Sequence, residues 1–153
     1  MPAMRTIEGI AGFQELAGQK LGESGWHEVT QEMIDKFADA TGDHQWIHVD
    51  RERAQAGPFG TTIAHGFLTL SLISMLSREV VKIDGIRMAI NYGVNRVRFP
   101  APVKAGARVR ATVKNQTVDG VEGGIQVVNE VTIEIEGGGK PACVAETVSR
   151  FYS

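Results

Sequence analysis

Ile63-Ala64-His65-Gly66-Phe67-Leu68-Thr69-Leu70-Ser71-Leu72-Ile73-Ser74-Met75-Leu76-Ser77-Arg78-Glu79-Val80 is the stretch on which the fold turns. Phe67, Leu68, Leu70, Ser71, Leu72, Ile73, Met75 and Leu76 are apolar or small nearly all round a helical wheel, so the pattern predicts a long helix from about Ile63 to Val80. Such a helix belongs inside something. The chain that follows supplies a cover: Val109, Ala111 and Val113 alternate with Arg108, Arg110, Thr112 and Lys114. Ile125, Val127, Val131, Ile133 and Ile135 likewise alternate with Gln126, Glu130, Thr132 and Glu134. Period-two alternation marks half-buried antiparallel strands. Segments from Met88 to Phe99, from Ala142 to Tyr152 and near Glu23 to Val29 bring the count to about five strands, a usual sheet size. Asp119-Gly120, Gly123-Gly124 and Gly137-Gly138-Gly139 read as the turns between strands. The class is α+β, one antiparallel sheet wrapped on one buried helix.

Upstream, Thr30 can cap a helix that has Gln31 and Glu32 in its first turn and Met33, Ile34, Phe37, Ala38 and Thr41 on its apolar face. Gly42 marks its end. At 153 residues the chain fits one domain, and no internal repeat or low-complexity segment divides it. With 16 Lys+Arg against 18 Asp+Glu and no clustered basic face, nucleic acid is a poor partner. The single Cys143 excludes an internal disulfide framework, and four histidines without a Cys-x-x-Cys argue against a structural zinc site. The N-terminus lacks an apolar leader core, and the stretch from Phe67 to Leu76 is too short and too interrupted to span a bilayer. These features together predict a soluble, cytoplasmic protein without a membrane segment.

Chemistry is suggested by Thr41-Gly42-Asp43-His44-Gln45-Trp46-Ile47-His48-Val49-Asp50, which sets a carboxylate and an imidazole five positions apart just past a helix end. Asp43 and His48 together could hold one water, polarise it and pass on a proton. An Asp after a helix-ending Gly is also a common turn residue, and a loop His is often structural, so on residues alone both readings stand. His65-Gly66 opens the apolar helix, where first-turn N–H groups without intrahelical partners can stabilise a developing oxyanion. Gly66 would let a substrate approach closely, or would simply allow tight helix packing. His27 and His44 read as surface or turn residues, Asp50 as the cap of a short helix from Arg51 to Ala56, Arg96 and Arg98 as a solvated strand face, and Cys143 as a small buried hydrophobe.

Three segments in order carry a resemblance. Gly42-Asp43-His44-Gln45-Trp46-Ile47-His48-Val49-Asp50 meets the pattern Gly-Asp-x-Asn-Pro-x-His-x-Asp. Ala64-His65-Gly66-Phe67 meets the helix opening, and Arg98-Phe99-Pro100-Ala101-Pro102-Val103 meets a later Arg-Phe-x-x-Pro-Val. On these the chain resembles, over nearly its whole length, the MaoC-like hydratase/dehydratase family of hot-dog folds, in the branch of nodulation protein N and the (R)-specific enoyl-CoA hydratases. The resemblance implies one hot-dog domain over residues 1–153 and reversible hydration of trans-2-enoyl-CoA to (R)-3-hydroxyacyl-CoA. It implies Asp43 and His48 as the catalytic pair and the Gly66 N–H as donor to the thioester carbonyl. It requires no metal and no redox cofactor, because the CoA or acyl-carrier thioester is part of the substrate, and it implies a homodimer. Gln45-Trp46 stands where the family has Asn-Pro, with Trp46 free to pack on a partner or to narrow the pocket. An acyl-CoA thioesterase and a non-catalytic acyl-thioester binding module are the competing readings.

Overall fold

The computed structural model describes residues 4–153. Strand β1 (Arg5–Glu8) leads into a short helix α1 (Gly9–Gln14), then β2 (Lys20–Glu23) and β3 (His27–Glu28). Helices α2 (Gln31–Thr41), α3 (Trp46–Val49) and α4 (Arg51–Gln55) follow, then α5 (Gly66–Ser71) and α6 (Ile73–Val80). The rest is strand: β4 (Val81–Asp84), β5 (Met88–Arg98), β6 (Arg108–Val121), β7 (Gly124–Ile135) and β8 (Cys143–Tyr152). The main sheet runs in the order β2-β6-β7-β8-β5, and β3 pairs with β6 as a sixth strand beyond the expected five. Every pairing in it is antiparallel, whereas β1 and β4 form a separate parallel pair.

The alternation in β6 and β7 sets what the sheet buries. Val109, Ala111, Val113, Val127, Val131 and Ile133 all lie at 1% exposure or less and face Phe13, Ile34, Leu76 and Val80 from the helices. Each such valine or isoleucine side chain contributes roughly 1.5–3 kcal/mol by leaving water. One buried polar side chain is built into this layer. Asn115 occupies the bulge where β6 slips against β7, and its amide donates to Thr117 O, Val128 O and Asn129 Oδ1 while its oxygen accepts from Gly18 N.

Three expectations need correction. The long helix starts at Gly66 instead of Ile63, because Ile63 N and Ala64 N are committed to Ile47 O and Val103 O in extended chain. It is also interrupted at Leu72 and covered on one side only: Leu68, Ile73, Leu76 and Val80 are buried, whereas Phe67, Ser71, Ser74, Met75 and Arg78 are exposed. Asp119-Gly120 is strand, not turn, since β6 and β7 stay paired out to Val121 and Gly124. The reversal is made by Glu122-Gly123, with Gly123 at φ +79°, a left-handed conformation suited to glycine.

Candidate active site

Helix α2 delivers the site by its two ends. Thr30 caps it, its side chain accepting from Met33 N at 3.1 Å, and Gly42 closes it in the left-handed conformation at φ +80°. That glycine turns the chain so that Asp43 begins a new direction, and within a few residues the one-turn helix α3 carries His48 inward. His48 is 6% exposed, while Asp43 is exposed at the rim. The extended segment before α5 brings up His65, 2% exposed, from the other side.

The three side chains meet, with one ligand-type atom from each of Asp43, His48 and His65 lying within 4.8 Å of the others. A single water can bridge groups at that separation. His48 Nδ1 lies 2.7 Å from Ile63 O. A carbonyl only accepts, so in the neutral ring Nδ1 carries the proton and Nε2 keeps the lone pair. His65 Nε2 donates to the backbone carbonyl of Asp43 at 2.9 Å, which leaves His65 Nδ1 buried without a partner. The His48 and His65 rings stack at 3.8 Å between centroids and 24° between planes, and Phe37 backs His65 at 4.8 Å. Burial holds the His48 imidazole below its ordinary value of 6.5; the Ile63 carbonyl opposes this, His65 adds to it, and Asp43 opposes it.

Gln31, which the sequence marks only as a first-turn residue, ties the site together. Its amide nitrogen donates to His48 O at 2.8 Å and to Asp35 Oδ1 at 2.8 Å, and its oxygen accepts from the Thr62 hydroxyl. His65 likewise stands out in the sequence only as the neighbour of Gly66. No local motif marks Gln31, and the motif that contains His65 points to Gly66 and not to the histidine, because the two side chains act across separations of 17 and 22 positions.

Gly66 opens α5 with His65 in the capping position, so its N–H belongs to the first turn. The Phe99 ring lies over it: a side-chain carbon at residue 66 would sit 3.0 Å from that ring. Trp46 is half-buried against Gly57, where a side chain would sit 3.1 Å from the indole, and Arg53 lies over the indole at 4.3 Å. The indole is thus packed within the chain, on the loop after α4.

The remaining expectations fall into place. Asp50 Oδ1 accepts from Arg53 N at 3.0 Å and caps α4. His44 pairs with Asp39 at 2.9 Å, and His27 lies 2.6 Å from Glu79, off the line of a hydrogen bond. Arg96 and Arg98 are exposed on β5. Cys143 is fully buried, which pushes its thiol up to about 11. Asp43, His48 and His65 are donors of a kind that could ligate a metal. The stacked rings keep their lone pairs in two nearly parallel planes, and His65 Nε2 is already committed to the Asp43 carbonyl.

A hollow of about 880 Å³ lies elsewhere, between the open face of α5–α6 and β5, lined by Leu70, Ser74, Arg78, Ala89 and Gly93 among others. Asp43, His48 and His65 are absent from its walls. Among the described residues, the carboxylate and two imidazoles of Asp43, His48 and His65 converge away from that hollow, and such a convergence of titratable groups marks a candidate site.

Known proteins resemble this chain in sequence and in fold. The chain is 55% identical over 151 residues to the 3-hydroxyacyl-thioester dehydratase Z of Mycobacterium tuberculosis, covering 98% of this chain and 100% of that one. It is 49% identical over 144 residues to the nodulation protein N of Rhizobium leguminosarum bv. viciae, covering 92% and 89% respectively. The (R)-hydratase of A. caviae involved in PHA biosynthesis superposes with a TM-score of 0.70 at 26% identity, over 87% of this chain and 94% of that one. Residues 12–137 match the model of the MaoC like domain, and the helix-wrapping sheet is the hot-dog fold of these hydratases, so the chain belongs to the MaoC-like family.

Proposed function

We propose that this protein catalyses the reversible addition of water to a trans-2-enoyl-CoA, giving the (R)-3-hydroxyacyl-CoA. The observation that carries this reading is His48: a buried imidazole whose Nδ1–H is fixed on Ile63 O, with the lone pair of Nε2 left for chemistry beside Asp43. In the hydration direction Asp43 and His48 hold one water. As its oxygen bonds to C3, the pair takes a proton from it and returns one to C2, the negative charge passing through the thioester oxygen. The Gly66 N–H donates to that oxygen. The addition is redox-neutral, so the reading requires no redox cofactor, and with proton transfer assigned to Asp43 and His48 and the oxyanion to the Gly66 N–H it invokes no metal.

The 3-hydroxyacyl-thioester dehydratase and (R)-hydratase names of the relatives support the reaction class. The family match across residues 12–137 supports treating residues 1–153 as one domain. We further propose a homodimer closed over β5. Ten of the eleven residues of that strand are exposed, its outer edge pairs with no strand among the described residues, and Met88, Ile90, Tyr92 and Val94 are bare. The reading involves neither nucleic acid nor a membrane; among the described residues no helix is long and apolar enough to cross one. A lone, buried, unreactive Cys143 fits the reducing cytoplasm.

The test is spectrophotometric. The purified protein should bleach the enoyl absorbance of crotonyl-CoA and longer enoyl-CoAs without releasing thiol. Thiol release with the double bond intact would make it a thioesterase, and binding without either change would make it a carrier or sensor of acyl thioesters.

A further inference from the structure

His65 touches each working part of the proposed site. Its Nε2–H holds the carbonyl of Asp43, its ring lies flat on that of His48, and its own backbone leads directly into Gly66. It is 2% exposed and fixed from behind by Phe37 of α2, so it has little freedom to follow independent movements of the loop. Asp43, by contrast, is exposed, and its own carboxylate makes only a 3.4 Å contact with Gln45 N. Without an anchor, the loop between Gly42 and Gln45 would leave the carboxylate free to swing. The water it must share with His48 demands a fixed geometry, and misplacing a reacting group by about 1 Å costs about a hundredfold in rate.

We propose that His65 is a positioning residue for hydration, a single side chain that locks the Asp43 backbone, the plane of the His48 ring and the start of the Gly66 helix into one unit. This rests on the reaction proposed above. The unpartnered Nδ1 follows from that job, since a ring that donates through Nε2 and packs by its faces has its remaining nitrogen turned into the fold. The stack has an electrical consequence as well. Two imidazolium rings at this distance repel, so His65 helps keep His48 in the lone-pair form, together with burial and against Asp43 and the Ile63 carbonyl. The other groups close to His48 are Gln31, on its backbone carbonyl, and Asp35, which Gln31 also binds.

Two variants separate the parts. His65→Phe keeps a ring against His48 and Phe37 but has no N–H; His65→Gln keeps an N–H near the position of Nε2 but has no ring. In crotonyl-CoA hydration, His65→Phe should lose roughly 10- to 100-fold in kcat with KM nearly unchanged. His65→Gln should recover part of that loss, and in both the acid limb of the rate profile should move to higher pH. A second readout needs no substrate: nitrogen-detected NMR of the histidine rings should show His48 as the Nδ1–H tautomer, titrating at higher pH in both variants than in the parent. Equal losses in the two variants with an unmoved acid limb would mean that the ring only fills space. Parental kcat with an unmoved His48 titration in a folded variant would equally overturn the assignment. If His65→Phe does not fold, His65→Gln decides by the same criteria. A parent protein that hydrates no enoyl thioester defeats the reaction instead, and the NMR titration still decides the role of His65.

Discussion

The cluster around His48 and the strand β5 treat water in opposite ways. Around His48 the chain buries polar groups and finds them partners within itself: Ile63 O for the imidazole, Gln31 for the His48 carbonyl, His65 for the Asp43 carbonyl. Along β5 it exposes apolar side chains and leaves a backbone edge open. The first region is tied together within one protomer, which matters because an unpaired buried polar group costs about 1–3 kcal/mol; His65 Nδ1 is the one ring nitrogen there left buried without a partner. The second is open, a bare edge strand flanked by a hollow of about 880 Å³ and a half-covered helix, which is the surface over which the proposed dimer would close. The contrast separates what the chain does alone, which is to shape a proton-handling cluster, from what a second copy would add, which is the cover over an acyl chain.

Four changes probe that division, the largest first. Asp43→Asn or His48→Gln should lower the hydration rate by about two to four powers of ten while leaving the dimer intact, as measured by the enoyl absorbance and by sedimentation. Full activity in either would remove the polar cluster from the chemistry. Ile90→Asp with Val94→Asp places charge on the open edge. This should weaken self-association at least about tenfold, giving folded monomers by sedimentation equilibrium with little hydration activity. A variant that still sediments as a dimer would move the interface off β5.

Gly66→Ala comes third. Its added carbon would press the Phe99 ring at 3.0 Å. The ring is 40% exposed and can yield, so the expected cost is about tenfold in kcat, with part restored by Phe99→Leu. The smallest effect is on stability against pH. His48 is held below 6.5 in the fold, so above that pH it is neutral in both states and its contribution is fully present. Below it the unfolded chain takes the proton first, and stability falls until the folded imidazole also protonates. The His44 imidazole, raised by its hydrogen bond to Asp39, works in the opposite direction, but as an exposed pair it contributes little. The urea midpoint should therefore drop between about pH 7 and about pH 5.5, and less so in His48→Gln. Equal slopes in parent and variant would contradict the buried neutral imidazole.

Much of the fold and part of the site are legible in the amino-acid sequence. Thr30 and Gly42 bound α2 by local chemistry, and the alternation of β6 and β7 is a property of each strand alone. The approach of Asp43 to His48 follows from a glycine that ends one helix a few residues before another begins. What stays illegible depends on distant chain. Ile63 and Ala64 look helical by composition and are extended because Ile47 and Val103 claim their amides. The helix after them looks buried all round, yet one face stays bare, since hydrophobicity does not say whether the cover comes from the same chain or from another copy. Gln31 carries no motif, the motif around His65 gives the histidine no role, and only the fold brings both side chains to the site. The Gln45-Trp46 replacement is local in its effect: Trp46 rests on Gly57 beneath Arg53, and the Asp43–His48 approach is kept.

The central claim is that Asp43 and His48 add one water to C3 of an enoyl thioester. Incubating crotonyl-CoA with the protein in heavy-oxygen water and analysing the product by mass spectrometry and chiral chromatography tests it most directly. The expected result is (R)-3-hydroxybutyryl-CoA carrying one heavy oxygen on C3, formed by the parent and nearly absent with His48→Gln. Heavy oxygen in a free carboxylate, or label at C3 formed equally well by His48→Gln, would contradict it.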